Sequence, residues 1–156
     1  MKLTIRPILQ ADELFLWEML YQALYVPEGH SPFPRDIVQQ PEIAQYVQGW
    51  GQLNDEGLIA CDDEMPVGAV WIRRMRGYGF VDDDTPELSI ALLPGYRGQG
   101  IGTHLMKELF AILQGRFKAL SLSVSKENPS LLLYQRLGFE VVRDDGSSVT
   151  MKRVFV

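Results

Sequence analysis

The residues with the greatest capacity for chemistry lie in a glycine-rich segment, residues 93–103, which reads LPGYRGQGIGT. Three glycines alternate there, Gly98, Gly100 and Gly102, directly after Arg97. Glycine lets the main chain turn its N–H groups inward and approach a ligand closely. The helix predicted after the loop adds the positive end of its dipole, so the segment suits a phosphate or pyrophosphate group.

Two common phosphate-binding loops do not match this segment. The dinucleotide-binding fingerprint has a third glycine three residues after its second, and here that offset from Gly100 holds Thr103. A P-loop opens its helix with Gly-Lys-Ser/Thr, and no lysine stands in the segment. A plain tight turn between a strand and a helix remains the alternative.

The hydrophobic pattern predicts the elements that must hold this loop in place. Apolar spacing and helix start signals predict helices at 11–25, 41–50, from 101 onward and from 128 to 138. Alternation and short apolar runs predict strands at 2–6, 58–61, 67–72, 87–93, 120–124, 139–143 and 148–154. Since strand 87–93, the next helix and strand 120–124 form a β-α-β unit, those two strands must be parallel in an otherwise largely antiparallel sheet. The predicted class is mixed α/β, with the order β-α-α-β-β-β-α-β-α-β-β.

Composition and charge disfavour several classes of protein. The 156 residues are the usual length of one domain, so we expect residues 1–156 to form a single domain. A net charge of −5 disfavours nucleic acid as the main partner, because proteins that bind phosphate backbones usually carry a basic surplus. Cys61 is alone, and His30 and His104 lack zinc-ligand spacing, so we expect neither a disulfide nor a metal. Without a signal-peptide pattern or an apolar run near the ~20 residues of a membrane span, we expect a cytoplasmic protein with no membrane partner.

Two segments together resemble one known family. Residues 97–102, RGQGIG, match the R/Q-x-x-G-x-G/A signature of the GNAT superfamily of acyl-CoA N-acyltransferases. Residues 128–139, NPSLLLYQRLGF, are similar to that family's N-x-x-A/S-x-x-L-Y-x-x-x-G-F region. The element order matches the GNAT fold over nearly the whole chain. The resemblance implies a mostly antiparallel central sheet whose one parallel pair splays into a cofactor cleft.

The same resemblance implies acetyl-CoA as the acyl donor. In the family, main-chain N–H groups of the glycine loop hold the pyrophosphate, and the pantetheine arm follows the first parallel strand, here around residues 90–93. Asn128 resembles the residue that helps to hold the pantetheine amide, while its place before Pro129 also predicts a helix cap. The cofactor-binding residues implied are Leu92, Leu93, Arg97, Gly98, Gly100, Gly102, Thr103 and Asn128.

Two residues are candidates for catalysis. Tyr134 resembles the family's general acid, and a phenol with a pKa of ~10 can share or deliver a proton to a thiolate whose conjugate acid has a pKa of ~8.5. Its alternative role is that of a half-buried packing tyrosine. Glu87 opens the strand that would hold the thioester, so we predict that it deprotonates the acceptor amine, directly or through water. The alternative for Glu87 is an exposed carboxylate at a strand end.

The resemblance thus implies an N-acetyltransferase in which a primary amine attacks acetyl-CoA directly in a ternary complex. Cys61 is remote from both motifs, which leaves a mechanism through an acyl-thiol intermediate without support. The acceptor is a small molecule or a protein amine, and Tyr25, His30 and Phe33 are contacts suggested by their position alone. A homodimer is common in the family. The alternative function is a non-catalytic acyl-CoA-binding sensor or regulatory domain of the same fold.

Overall fold

The computed structural model describes residues 2–156 and contains one mixed sheet with helices on both faces. The strands are β1 (Leu3–Pro7), β2 (Glu56–Asp62), β3 (Met65–Arg73), β4 (Glu87–Leu92), β5 (Ala119–Ser125), β6 (Glu140–Asp144) and β7 (Ser148–Val154). The helices are α1 (Glu13–Ala23), α2 (Pro41–Ala44), α3 (Ile101–Leu113) and α4 (Ser130–Arg136). The predicted element order is confirmed, and so is the mixed α/β class with one parallel pair.

Each face of the sheet has its own apolar core. On one face, the helical spacing of Leu105, Met106 and Leu109 buries a continuous stripe of α3 against the sheet. On the other face, Leu16 and Met19 of α1 are fully buried, together with residues of α2 and the segment that follows it. The sheet is therefore the middle of three layers, and any ligand must enter at an edge or where strands part.

The strands part between β4 and β5. The strand order is β1-β2-β3-β4-β5-β7-β6, and β4 and β5 form its parallel pair. Their register contains only the pair Glu87 and Ser121, and the Ser121 N–H donates to the Pro86 carbonyl at 3.0 Å. Beyond that point β4 remains paired with β3 on one side and has no strand partner on the other. This divergence opens the cleft that the resemblance implied.

Two predicted helices are shorter in the structure. The first is α-helical from Glu13, after a short 3-10 turn, because the Asp12 carboxylate accepts the Leu9 N–H and pairs with Arg6 at 2.8 Å. The second was predicted to reach residue 50 but ends at Ala44. Beyond it the chain makes mostly turn-like bonds, with the Tyr46 and Val47 N–H groups donating to the carbonyls three residues earlier, and the Arg73 guanidinium donates to the carbonyls of residues 45 and 48 at 2.9 and 2.7 Å.

Every helix in residues 2–156 is too short or too polar to cross a bilayer.

Candidate active site

The divergence of β4 and β5 opens a cavity of about 740 Å³, which we call the glycine-loop cavity. It is bounded by the glycine loop, the last turn of α1 with the loop after it, and the start of α4. Eight of the ten site residues named from the sequence line it: Leu92, Arg97, Gly98, Gly100, Gly102, Thr103, Asn128 and Tyr134. The other two, Leu93 and Glu87, lie elsewhere.

The glycine loop presents main-chain N–H groups to this cavity. Gly98 and Gly100 have φ angles of +74° and +84°, a left-handed conformation that glycine adopts without strain. The first bond of the helical ladder in α3 runs from the His104 N–H to the Gly100 carbonyl at 3.1 Å, so the preceding N–H groups of α3 have no partner within the helix. Arg97 ties the loop to α1, because its Nη2 donates to the carbonyl and Oε1 of Gln22. The loop can therefore accept an anionic group on its main chain.

Leu93, unlike Leu92, does not line the glycine-loop cavity. Its N–H donates to the Val67 carbonyl at 2.8 Å, and its carbonyl accepts the Tyr96 N–H at 2.9 Å, so both main-chain groups are engaged away from the cavity. Because main-chain groups alternate between the two sides of a strand, those of Ile90 and Leu92 face the open side. Both of these residues line the glycine-loop cavity. The edge of β4 without a strand partner thus lies at Ile90 and at the predicted Leu92, whose carbonyl accepts the Arg97 Nε–H at 3.3 Å.

Asn128 and Tyr134 lie on either side of the start of α4. The Asn128 Oδ1 accepts the Ser130 N–H at 2.9 Å, so the capping role is present, and its amide nitrogen is a separate donor. The Tyr134 ring is half-buried and packs edge-on against Phe139, with 6.1 Å between ring centroids. Burial raises the pKa of the Tyr134 phenol to about 12, against a smaller opposing effect of its hydrogen bond with Ser130. The phenol is therefore protonated throughout the neutral range.

A second cavity of about 280 Å³, the aromatic cavity, meets the first at Ile90, Asn128 and Tyr134. Tyr46 and Tyr78 line it together with apolar residues of α1. Of the residues suggested by position alone, Tyr25 and Phe33 line both cavities, whereas His30 lines neither.

The segment between α1 and α2 is held across the mouth of both cavities. The Tyr25 hydroxyl donates to the Glu127 carbonyl at 3.1 Å, and the Tyr21 hydroxyl donates to the Phe33 carbonyl at 2.6 Å. The first bond joins the segment to the loop before α4 and the second joins it to α1, so they hold Tyr25 and Phe33, which line both cavities.

Glu87 is buried behind the aromatic cavity. Its residue is 2% exposed, so the alternative of an exposed strand-end carboxylate is wrong. The Tyr46 hydroxyl donates to Glu87 Oε2, and the Gly79 N–H donates to Oε1 at 3.1 Å. Burial raises the pKa of Glu87 to about 7, although these hydrogen bonds and the charge of Arg143 act in the opposite direction. A carboxyl with a pKa near neutrality can take up and release a proton under working conditions.

Tyr46 connects Glu87 to the cavity. It lines the aromatic cavity, while Glu87 does not. Its hydroxyl oxygen also accepts the Tyr78 N–H at 2.9 Å, and burial, followed by the charge of Glu87, strongly raises its pKa. The Tyr46 carbonyl in turn accepts the Trp71 Nε1–H at 3.0 Å. The Tyr46 hydroxyl is thus held by Glu87 and Tyr78, its main chain is held by Trp71, and the phenol stays protonated.

The segment at 77–79 fits over this pair only because two of its residues are glycines. A Cβ at Gly77 would lie 2.6 Å from the Tyr46 hydroxyl oxygen and 2.7 Å from Glu87 Oε1. At Gly79 it would lie 2.7 Å from the main-chain carbon of Leu122. Tyr46, Gly77 and Gly79 were not predicted from the sequence. The only local signal was the alternation of glycines in RGYGF at 76–80, which matches no motif.

Within residues 2–156, no cluster of three or more His, Cys, Asp or Glu side chains could hold a metal ion.

Comparison with known proteins agrees with this geometry. A model of the acetyltransferase (GNAT) family matches residues 15–139. Over 96 residues the chain is 35% identical to a mycothiol acetyltransferase of Brachybacterium faecium, a match covering 60% of this chain and 28% of that protein. The chain therefore matches little more than a quarter of the length of that curated relative.

Two solved structures share the fold. PaiA N-acetyltransferase from Thermoplasma acidophilum, in complex with coenzyme A, superposes with a TM-score of 0.72 at 22% identity, covering 99% of this chain and 100% of that one. The yncA structure from Salmonella typhimurium, with its cofactor acetyl-CoA, superposes with a TM-score of 0.72 at 19% identity, covering 100% of this chain and 95% of that one.

Proposed function

This chain belongs to the acetyltransferase (GNAT) family, and we propose that it transfers an acetyl group from acetyl-CoA to a primary amine within a ternary complex. The observation that carries the proposal is the meeting of two cavities at Tyr134, with a buried ionisable pair, Glu87 and Tyr46, behind the second one. One cavity suits an elongated anionic donor, and the other suits an amine that must lose a proton.

The glycine-loop cavity fits coenzyme A by the chemistry of its groups. The N–H groups at the start of α3 and the guanidinium of Arg97 are donors for a pyrophosphate, and the open edge of β4 at Ile90 and Leu92 can pair with the amides of a pantetheine arm. The amide nitrogen of Asn128 is a further donor beside that edge. The bound thioester supplies an activated acetyl carbon.

The aromatic cavity supplies the proton acceptor. In the overall reaction, a C–N bond forms, the C–S bond breaks, and the amine loses a proton. Because an alkyl ammonium has a pKa of ~10.4, it needs a base at neutral pH. We propose that Tyr46 passes its own proton to Glu87 as it takes one from the amine, in place of the direct or water-mediated contact predicted from the sequence. The Glu87 carboxylate is the final acceptor, and its pKa of about 7 suits that role.

Tyr134 stabilises the sulfur as the C–S bond breaks. With a pKa of about 12, its phenol is a weaker acid than a thiol at ~8.5, so a shared hydrogen bond is favoured over complete proton transfer. We therefore propose a hydrogen bond from Tyr134 to the sulfur, in place of the full proton transfer of the general acid that the family resemblance implies.

A pH–rate profile tests the proposal. For the wild type, the single-turnover rate of acetyl transfer is expected to rise through pH ~7, because the ionised form of Glu87 is the active one. Glu87→Gln is expected to lower the rate at neutral pH by about 100-fold or more and to remove this rise. The rate of the variant then increases only as the free amine becomes abundant at high pH.

Glu56→Gln is the matched control, because Glu56 also opens a strand but is partly exposed beside Arg116. It is expected to keep the wild-type profile. An equal profile for Glu87→Gln would remove Glu87 from the mechanism. Tight acetyl-CoA binding without coenzyme A release for any amine would instead support the non-catalytic sensor.

A cytoplasmic location and a homodimer remain proposals. Cell fractionation tests the first, and sedimentation velocity tests the second.

A further inference from the structure

The aromatic cavity defines the class of acceptor. Resting on the proposed function, we propose that the acceptor is a small primary amine whose body is apolar or aromatic and bears no charge beyond the reacting amino group.

The walls of the aromatic cavity are apolar or aromatic on several sides. Leu20 and Leu24 of the α1 side, Phe33 of the loop that follows and Ile43 of α2 face it together with the rings of Tyr46 and Tyr78. The Tyr46 and Tyr78 rings lie 6.3 Å apart between centroids and are nearly parallel, with 18° between their planes. Such walls stabilise a ligand by burial of apolar area and by contact with aromatic faces.

The cavity lacks the groups that a second charge would need. Among the described residues that line it, none has a carboxylate, ammonium, guanidinium or imidazole side chain, and its polar groups are serine and tyrosine hydroxyls and the Asn128 amide. A second ammonium or a carboxylate on the acceptor would therefore lie against uncharged walls without an ionic partner among the lining residues, which is unfavourable. The one nearby buried carboxyl, Glu87, is already engaged by Tyr46 and Gly79.

The size of the aromatic cavity limits the acceptor further. Its volume of about 280 Å³ lies just below the range of ~300–1,000 Å³ that is usual for small-molecule pockets. The reacting nitrogen must sit where this cavity meets the other, at Tyr134, so the part of the acceptor next to the nitrogen lies within this volume.

Matched pairs of amines test the proposal. Phenethylamine and phenylalanine differ by one carboxylate, and pentylamine and 1,5-diaminopentane differ by one ammonium group. We expect kcat/KM to be about 100-fold higher for the singly charged member of each pair, because the other member must bury an unpaired charge. A lysine-containing peptide is the third arm, and we expect it to be poorer than pentylamine.

The outcomes separate this inference from the proposed function. If phenylalanine, 1,5-diaminopentane or the peptide is acetylated as well as its counterpart, the acceptor class is wrong and the proposed function stands. If no amine releases coenzyme A, the proposed function fails, and calorimetry with phenethylamine and phenylalanine in the presence of coenzyme A then decides the inference. Preferential binding of phenethylamine supports it, whereas equal binding or none overturns it.

One substitution ties the preference to the cavity. Phe33 lines the aromatic cavity yet is 40% exposed, so Phe33→Glu is expected to fold. It adds a carboxylate at the wall and is expected to shift the preference between pentylamine and 1,5-diaminopentane by at least about tenfold toward the diamine. Leu53→Glu adds the same charge at a residue that is 90% exposed and lies outside both cavities, and it is expected to leave the preference unchanged. An equal shift in both variants would contradict the assignment.

Discussion

The glycine-loop cavity and the aromatic cavity share Tyr134 but are built in different ways. The first offers main-chain groups from the exposed loop and from the open edge of β4, beside side chains such as Arg97 and Asn128. The second is made of side chains from distant segments of the chain. Tyr46 in its wall and Glu87 behind it are 41 residues apart and buried.

This difference suits two kinds of ligand. Main-chain N–H groups can bind a phosphate whatever the neighbouring side chains are, so the loop suits an anionic donor independently of the acceptor. Side chains set the shape and charge of the aromatic cavity, so substitutions there change which amine fits. Tyr134 lines both cavities, so its loss is expected to affect the transfer itself.

The largest effect on rate is expected from Tyr134→Phe. Removal of the hydroxyl keeps the ring against Phe139, so the fold and the affinity for acetyl-CoA should change little. The single-turnover rate should fall by about 100- to 10,000-fold, the usual contribution of a positioned acid. The loss should shrink with an acyl donor whose leaving group is a more stable anion, because that group needs less stabilisation. A rate close to that of the wild type would make Tyr134 a packing residue and leave the junction without a donor.

The aromatic cavity should also depend on a buried ion pair outside it. Arg73 and Asp55 lie 2.8 Å apart with side chains only 6% and 3% exposed, and Arg73 holds the main chain on both sides of Tyr46. Arg73→Met leaves the Asp55 charge buried and unpaired, so the free energy of unfolding should fall by about 3–5 kcal/mol.

The exposed pair of Arg76 and Asp83 supplies the control for Arg73→Met. Arg76→Met should leave the urea midpoint unchanged, since exposed pairs contribute little. At temperatures where Arg73→Met stays folded, its amine KM should rise more than its acetyl-CoA Kd, because Arg73 supports the Tyr46 segment and not the glycine loop. Equal changes in the amine KM and the acetyl-CoA Kd would contradict the view that Arg73 supports the aromatic cavity and not the glycine-loop cavity.

The two cavities also differ in how far the sequence predicts them. Eight of the ten residues named from the sequence line the glycine-loop cavity, because a loop and the helix beside it are local features with strong glycine, proline and asparagine signals. That Leu93 lies outside this cavity could not be predicted, because the side to which a strand residue turns its N–H depends on its partner, here Val67. The order of helices and strands could also be predicted from the sequence, because it rests on hydrophobic periodicity.

The surroundings of Glu87 could not be predicted in the same way. Its position at the start of a strand drew attention to it, but burial and a raised pKa arise from the segments at 46 and 77–79, which are far from it in sequence. The segment after α2 is likewise held from a distance, because Arg73 of β3 donates to its carbonyls at residues 45 and 48. Tertiary context of this kind can override local helix propensity.

The smallest effect, and the most specific to the donor, is expected from a pair of glycine variants. Gly100 and Gly115 have nearly equal φ angles of +84° and +86°, and a Cβ at either would meet no atom within 4 Å. Alanine at either position should therefore cost a similar ~1–2 kcal/mol of stability from backbone strain.

Only Gly100 lines the glycine-loop cavity, where its Cβ would stand between the main chain and a bound pyrophosphate. Calorimetry should show acetyl-CoA affinity reduced by about tenfold in Gly100→Ala and unchanged in Gly115→Ala, because a close main-chain contact to phosphate tolerates no side chain. Equal affinities in two equally destabilised variants would mean that the loop is only a tight turn, and that the donor is held by the edge of β4 instead.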